Sequence, residues 1–323
     1  MHKINFNNNL VINVLLIRVA LDLNSMYHEQ IKKLLIKNIM LHDNLKALIQ
    51  YILPKHALTR LAGYLANIKI PAIKNYLIRY FINKYDVNMN EAHEENLENY
   101  VNFNEFFIRQ LKPECRPIAK SGIISPVDGF ISEVGDIKAG TLLQAKGLDY
   151  SLHELLASHK DLSDKFNQGI FATLYLSPKD YHRVHMPISA KLTEMTYVPG
   201  NLFSVQPATA RTIPKLFARN ERLVVLFDTD VGPMAMVLVG ATIVGAIGTT
   251  WHKDVVRSQK PCHFSYNGEK DAHIFLQRAE EMGYFKLGST VILLFADKSR
   301  VKWLETLRSG DKIKFGEDLG VLS

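Results

Sequence analysis

Two cysteines, Cys115 and Cys262, are all that the 323 residues contain. They are too few for a disulfide framework or a thiolate zinc centre, and nothing in the chain demands an oxidising compartment. Long apolar runs are missing as well. A membrane-crossing helix needs about 18 or more predominantly apolar residues, and the best candidate, "LVINVLLIRVAL" at 10–21, is short and holds Asn13 and Arg18. As a secretory signal it is poor, because Lys3 is the only firm cation ahead of it and no clear small-residue cleavage site follows. There is no HExxH zinc motif, no GxSxG nucleophile elbow, no internal repeat and no heptad pattern.

What is present is a core-forming composition with a basic excess. With 47% hydrophobic residues and a net charge of +7, a globular body is expected, with an anionic partner: nucleic acid, a membrane surface or an acidic substrate. Residues 1–39 are Asn-rich and weakly patterned and read as a loose extension, with Met40 opening the patterned part. Residues 45–85 carry seven Lys or Arg and no Asp or Glu, in helix-prone stretches broken at Pro54 and Pro71. In "IKNYLIRYFINKY" apolar residues recur at three and four, with Lys74, Arg79 and Lys84 interleaved. That pattern fits a helix lying on a membrane, and equally a helix packed on a core with solvated cations. After an acidic linker at 91–98, "FNEFFIRQLKPECRPI" brings a helix to an end at Pro113 and Pro117. From Ile123 onward, short apolar and β-branched runs alternate with Gly, Pro and Asp. The expected architecture is α+β, with a basic helical region over 40–112 ahead of a β-rich body over 113–323.

Three stretches carry groups able to do chemistry. "SPVDGF" sets Asp128 at a turn before Gly129, and "LSPKDYHRVHMP" holds His182 and His185 three apart. Two histidines without further ligands do not make a metal site, so no metal is expected, whereas either imidazole can act as a base near neutral pH. "FKLGSTVILLF" places the Gly288–Ser289 bond at the threshold of a strand-like run. A serine hydroxyl attacks usefully only when a base takes its proton, so Asp128, a histidine and Ser289 are a candidate acid, base and nucleophile. An ordinary turn and two loop histidines account for the same letters, and spacing alone does not bring the three together.

"SPVDG", "YHRVHMP", "YVPGNLFSV", "LFARNERLVVLFDTDVGPMAMVLVGATIVG" and "FKLGST" together resemble the bacterial type of phosphatidylserine decarboxylase, over a span from about Gln50 to near the C-terminus. This resemblance implies self-cleavage between Gly288 and Ser289 into a large chain, 1–288, and a small chain, 289–323, which pair as a heterodimer. It implies a pyruvoyl group made from Ser289 as the sole cofactor, holding the amine of phosphatidylserine as a Schiff base while carbon dioxide leaves and phosphatidylethanolamine forms. By the same resemblance His185 is the base for Ser289, Asp128 its supporting carboxylate, and His182 the proton donor in decarboxylation. A lipid substrate makes an anionic membrane the expected partner rather than nucleic acid, contacted through Lys74, Arg79 and Lys84. The implied location is peripheral, on the cytoplasmic face of the inner membrane, with higher homo-oligomers left open.

Two other readings make different demands. "SPVDGFISEVGDIKAGTLLQAKG" is similar to the barrel-sandwich sheets of lipoyl and biotinyl carriers, and sheets of that kind are expected in the β-rich body. It lacks the carriers' modified-lysine element, so the likeness concerns the form of the sheet. A Ser-His-Asp hydrolase would keep its chain uncut.

Overall fold

The run STVILLF forms the strand Ser289–Phe295, every residue of which is buried. Alternate side chains leave a strand on opposite faces. Val291, Leu293 and Phe295 accordingly enter one core cluster, while Ile292 and Leu294 enter a second. A strand covered on both faces reads as a continuous apolar run rather than an alternating one. The computed structural model of the protein describes residues 41, 43–145, 147–157, 160–243, 246–255, 257–267 and 274–323. The expected extension over 1–39 lies outside the described residues.

Ten strands position the site: β1 (Gly129–Asp136), β2 (Ile170–Leu176), β3 (Arg183–His185), β4 (Ala190–Val198), β5 (Arg222–Thr229), β6 (Gly232–Val239), β7 (Ala246–Thr249), β8 (Glu281–Lys286), β9 (Ser289–Phe295) and β10 (Lys312–Ile313). The main sheet has nine strands and runs from Cys262–Ser265 through β4, β5, β6, β9, β2 and β1 to β10, with Phe275–Leu276 also paired to β4. All its pairings are antiparallel. A second sheet of four strands orders Lys253–Asp254, β7, β8 and β3. The chain passes from the second sheet to the first between β8 and β9, through two residues only, Leu287 and Gly288.

Both of those residues sit in the left-handed region, Leu287 at φ 79° and Gly288 at φ 65°. Glycine takes such a φ freely, and here it has open space around it. Leucine does not, and a non-glycine residue held there costs on the order of 1–3 kcal/mol. The helical region supplies what holds it. Helices α1 (Lys55–Ala66), α2 (Pro71–Tyr85) and α3 (Phe103–Phe107) follow a helical stretch at 43–52. Pro71 opens α2 at a position where its missing N–H is not needed, and Asn102 caps α3 by accepting the Glu105 N–H. Ile78 of α2 and Phe103, Phe106 and Phe107 of α3 bury themselves in one cluster with Leu287. Phe81 meets the three α3 phenylalanines edge-on at 5.2, 6.0 and 5.8 Å. The helices thus clamp the strained turn that leads into β9.

The α+β architecture agrees with the sequence reading, helices first and β-rich body after. Among the described residues no helix is long and apolar enough to cross a membrane. The helical region nevertheless exposes Ile52, Leu61, Tyr64, Ile70, Tyr76 and Tyr80.

Candidate active site

Strand register brings the ends of β1, β2 and β9 to one edge of the main sheet. Ser289, first residue of β9, lies opposite Leu176, last residue of β2. On the other side of β2, Tyr175 faces Phe130 of β1. Two strand spacings of about 4.8 Å therefore lie between the Ser289 and Gly129 backbones. Gly129 permits the close approach, since a Cβ there would fall 2.2 Å from the Tyr175 carbonyl oxygen. The His185 N–H donates to the Pro126 carbonyl at 2.9 Å, which ties β3 to the Asp128 loop. β3 pairs with β8, whose continuation is the turn before Ser289.

The two imidazoles are held alike. His185 Nδ1 lies 2.9 Å from the Ala279 carbonyl and Nε2 3.0 Å from the Tyr181 hydroxyl. A carbonyl can only accept, so the proton sits on Nδ1 and the Nε2 lone pair accepts from Tyr181. The ring stacks on Phe315 at 3.8 Å. His182 Nδ1 donates to the Asp180 carbonyl at 2.8 Å, its ring lies 4.2 Å from Phe107, and its Nε2 has no partner among the described residues. Burial pushes His185 down to about 4 and His182 down to about 3. Both rings are neutral at physiological pH, each with an unprotonated Nε2. The Ser289 hydroxyl is fully buried and likewise unpartnered. It lines a cavity of about 120 Å³ together with Phe107, Tyr175, Leu176, Leu287 and Gly288.

Asp128 differs from the expectation. The sequence reading makes it the orienting partner of His185, but its carboxylate is engaged elsewhere. Arg116 Nε approaches the two oxygens at 2.9 and 3.1 Å, Arg116 Nη2 bonds Oδ2, and the Phe315 N–H donates to Oδ1 at 2.9 Å. Arg116 reaches on to Glu91 at 2.7 Å. Burial works against the guanidinium's charge, but the hydrogen bonds to Asp128 and Glu91 outweigh it and hold its pKa above the ordinary value. A charge-assisted, bidentate bond is the stronger claim on a buried carboxylate. His185 is instead oriented by Ala279 and Tyr181. Its link to Asp128 runs through Phe315, which donates its N–H to the carboxylate and lays its ring on the imidazole.

Lys74 is a second correction. It is 5% exposed, and its ammonium donates to the Glu98 carbonyl at 2.8 Å and to Asn75 Oδ1 at 2.7 Å. Helical periodicity turned this lysine inward, so it is no membrane contact, while Arg79 and Lys84 are exposed. Arg116, Glu91, Tyr181 and Phe315 were not singled out from sequence. They come from four separate stretches, and only the fold assembles them.

Comparison with known proteins identifies the family. Residues 103–321 match the family model described as phosphatidylserine decarboxylase, and residues 45–86 match one described as PSD. A protein of Legionella pneumophila (strain Lens) is 59% identical over 284 residues, covering 88% of this chain and all of the relative. Relatives from Aliivibrio fischeri (strain MJ11) and Psychromonas ingrahamii are 51% and 49% identical, each covering 85% of this chain and 96% of the relative. All three are named phosphatidylserine decarboxylase proenzyme. The chain belongs to the phosphatidylserine decarboxylase family.

Proposed function

We propose that this chain is a proenzyme that cuts itself between Gly288 and Ser289 and then decarboxylates phosphatidylserine to phosphatidylethanolamine. One observation carries the reading: a buried, unpartnered serine hydroxyl directly after two left-handed residues. An unsatisfied buried hydroxyl costs free energy, and strain beside the bond to be cut is strain that cutting relieves.

In this reading the Ser289 hydroxyl attacks the Gly288 carbonyl, and proximity gives it a large effective concentration. His185 Nε2 takes the proton, which requires its bond to Tyr181 to exchange for one to Ser289. The amide becomes an ester, and elimination across Cα and Cβ of Ser289 frees the large chain. The dehydroalanine left at the new terminus tautomerises to an imine, and one water hydrolyses it to release ammonia and leave the pyruvoyl group. That group supplies a ketone for the substrate's amine and a carbonyl that accepts the electrons released with carbon dioxide. Phe107, Leu176 and Leu287 give the Ser289 cavity apolar walls that fit such an uncharged group. His182 is the residue assigned to protonate the substrate's α-carbon. Neutral as it stands, it must first take up a proton at Nε2.

The small chain, 289–323, would stay in place after cutting, because β9 is paired along its length with β2 and β6 and β10 pairs with β1. Mass spectrometry of the wild-type small chain tests the whole reading. The expected mass is that of a pyruvoyl-started peptide, lighter than the serine-started one by one ammonia; a free serine terminus overturns it.

The exposed apolar residues of the helical region, with Arg79 and Lys84 among them, are assigned to docking on an anionic leaflet, as in a peripheral protein of the inner membrane's cytoplasmic face. Each cation near such a surface contributes about 1 kcal/mol. The double variant Arg79→Gln, Lys84→Gln is expected to bind phosphatidylserine-containing vesicles roughly 30-fold more weakly by sedimentation. Unchanged binding removes the assignment.

A further inference from the structure

Arg109, two residues beyond α3, is a buried cation that forms no ion pair among the described residues. It is 5% exposed. Its Nη2 donates to the Lys179 carbonyl at 3.1 Å and its guanidinium lies over the Phe106 ring at 5.4 Å. Nε and Nη1 are buried and find no acceptor among the described residues. Two idle nitrogens, with three N–H groups between them, on a buried charge cost several kcal/mol unless a ligand satisfies them.

Arg109 lines a cavity of about 310 Å³ that also takes in Arg116, Lys179, Lys312, Asp86 and Asp180. Arg116 and Lys314, which also line it, are balanced by Asp128 and Glu91. Asp180 is pushed by burial toward its neutral form and accepts the Ser177 N–H at 2.7 Å. Arg109, Lys179 and Lys312 then face Asp86 and Asp180, three cations to two carboxylates, and the surplus favours an anion. No residue lines both this cavity and the Ser289 cavity, but their walls come from the same three stretches of chain. Tyr85, Phe107 and Pro178 line the serine's side, while Asp86, Arg109 and Lys179, one or two residues on, line the other.

Resting on the function proposed above, we propose that this cavity is the phosphate subsite, in which Arg109 Nε and Nη1 donate to the phosphodiester of the lipid headgroup, with Lys179 and Lys312 flanking. The substrate's other anion, its carboxylate, is a poor occupant. A paired guanidinium would stabilise the very charge that must disappear as carbon dioxide leaves, which lowers the ground state and slows the reaction. The phosphate does not react, so its binding energy can be used for orientation.

The test compares two substrates on the processed enzyme: phosphatidylserine, and an O-acylserine that keeps the amine and carboxylate but has no phosphate. Arg109→Gln is expected to self-cleave into two chains, to lose about 100-fold in kcat/KM on phosphatidylserine and less than about threefold on O-acylserine. Equal losses on both overturn the subsite. On unmodified enzyme, glycerophosphoserine and inorganic phosphate are expected to inhibit phosphatidylserine turnover competitively. No inhibition, or inhibition by phosphate that is not competitive, places any anion site elsewhere and overturns the proposal even if the variant fails to fold. Wild-type enzyme that releases no carbon dioxide from phosphatidylserine strikes the function instead of the subsite.

Discussion

Ser289→Ala is expected to leave one uncut chain with no decarboxylase activity and with no loss of stability. The functional half follows from chemistry: without Oγ there is no nucleophile, no ester and no carbonyl at the start of β9. The stability half follows from burial. Ser289 is fully buried in a strand whose other six residues are buried too, and its hydroxyl satisfies no partner. Replacing it with a methyl group removes an idle polar atom and leaves the β2 and β6 pairings intact, so the uncut variant should gain about 1 kcal/mol in a urea unfolding experiment. A useful comparator is His185→Gln, which is expected to remain uncut for want of a base. His182→Gln should be cut normally and then turn over slowly. Two bands from Ser289→Ala on a denaturing gel sink the assignment of the nucleophile. A large drop in its urea midpoint relative to His185→Gln sinks the account of Ser289 as a destabilised residue.

The sequence was most informative where one residue type had one reason to be there. An apolar run of five residues, Val291 to Phe295, shortly after a glycine can be only a few things, and β9 is the two-faced strand that such a run suggests. The β-rich body after Ile123 and the helices before it were legible from period and punctuation. The candidate site was legible only as separate residues. Asp128, His182, His185 and Ser289 each stand out by type, but pairing preferences between them depend on competitors that sequence distance hides. Arg116 lies 12 residues from Asp128 and takes both its oxygens, and Phe315 lies 187 residues from Asp128 and takes one of them as well. Lys74 shows the converse difficulty. A basic, apolar helix gives no sign of which lysine faces a carbonyl, and here the Glu98 backbone, 24 residues away, claims one. The strain at Leu287 has no sequence signal, because the residue is held in place by tertiary packing on α3.

Arg116→Ala is expected to destabilise the protein more than substitution of Ser289, His185 or His182. Arg116 and Asp128 have side chains 7% and 8% exposed, so neither charge is bathed in solvent. Removing the guanidinium leaves Asp128 with only the Phe315 N–H and leaves Glu91 with the more distant Lys314 at 3.8 Å. Deleting one partner of a buried ion pair typically costs about 3–5 kcal/mol, because the survivor is left charged and desolvated. That penalty belongs to the orphaned charge rather than to the bond, so the double variant Arg116→Ala, Asp128→Asn should recover a substantial part of it. Self-cleavage should not recover with it. Asp128 fixes the Phe315 backbone whose ring backs His185, and loosening that contact leaves the base free to turn away from Ser289. Urea unfolding of the two single variants and the double variant, with the fraction of cut chain read from the same samples, separates the two roles. A cost below about 1 kcal/mol for Arg116→Ala, or full cleavage in the double variant, would show that the pair is neither a buried constraint nor part of what holds His185 in place.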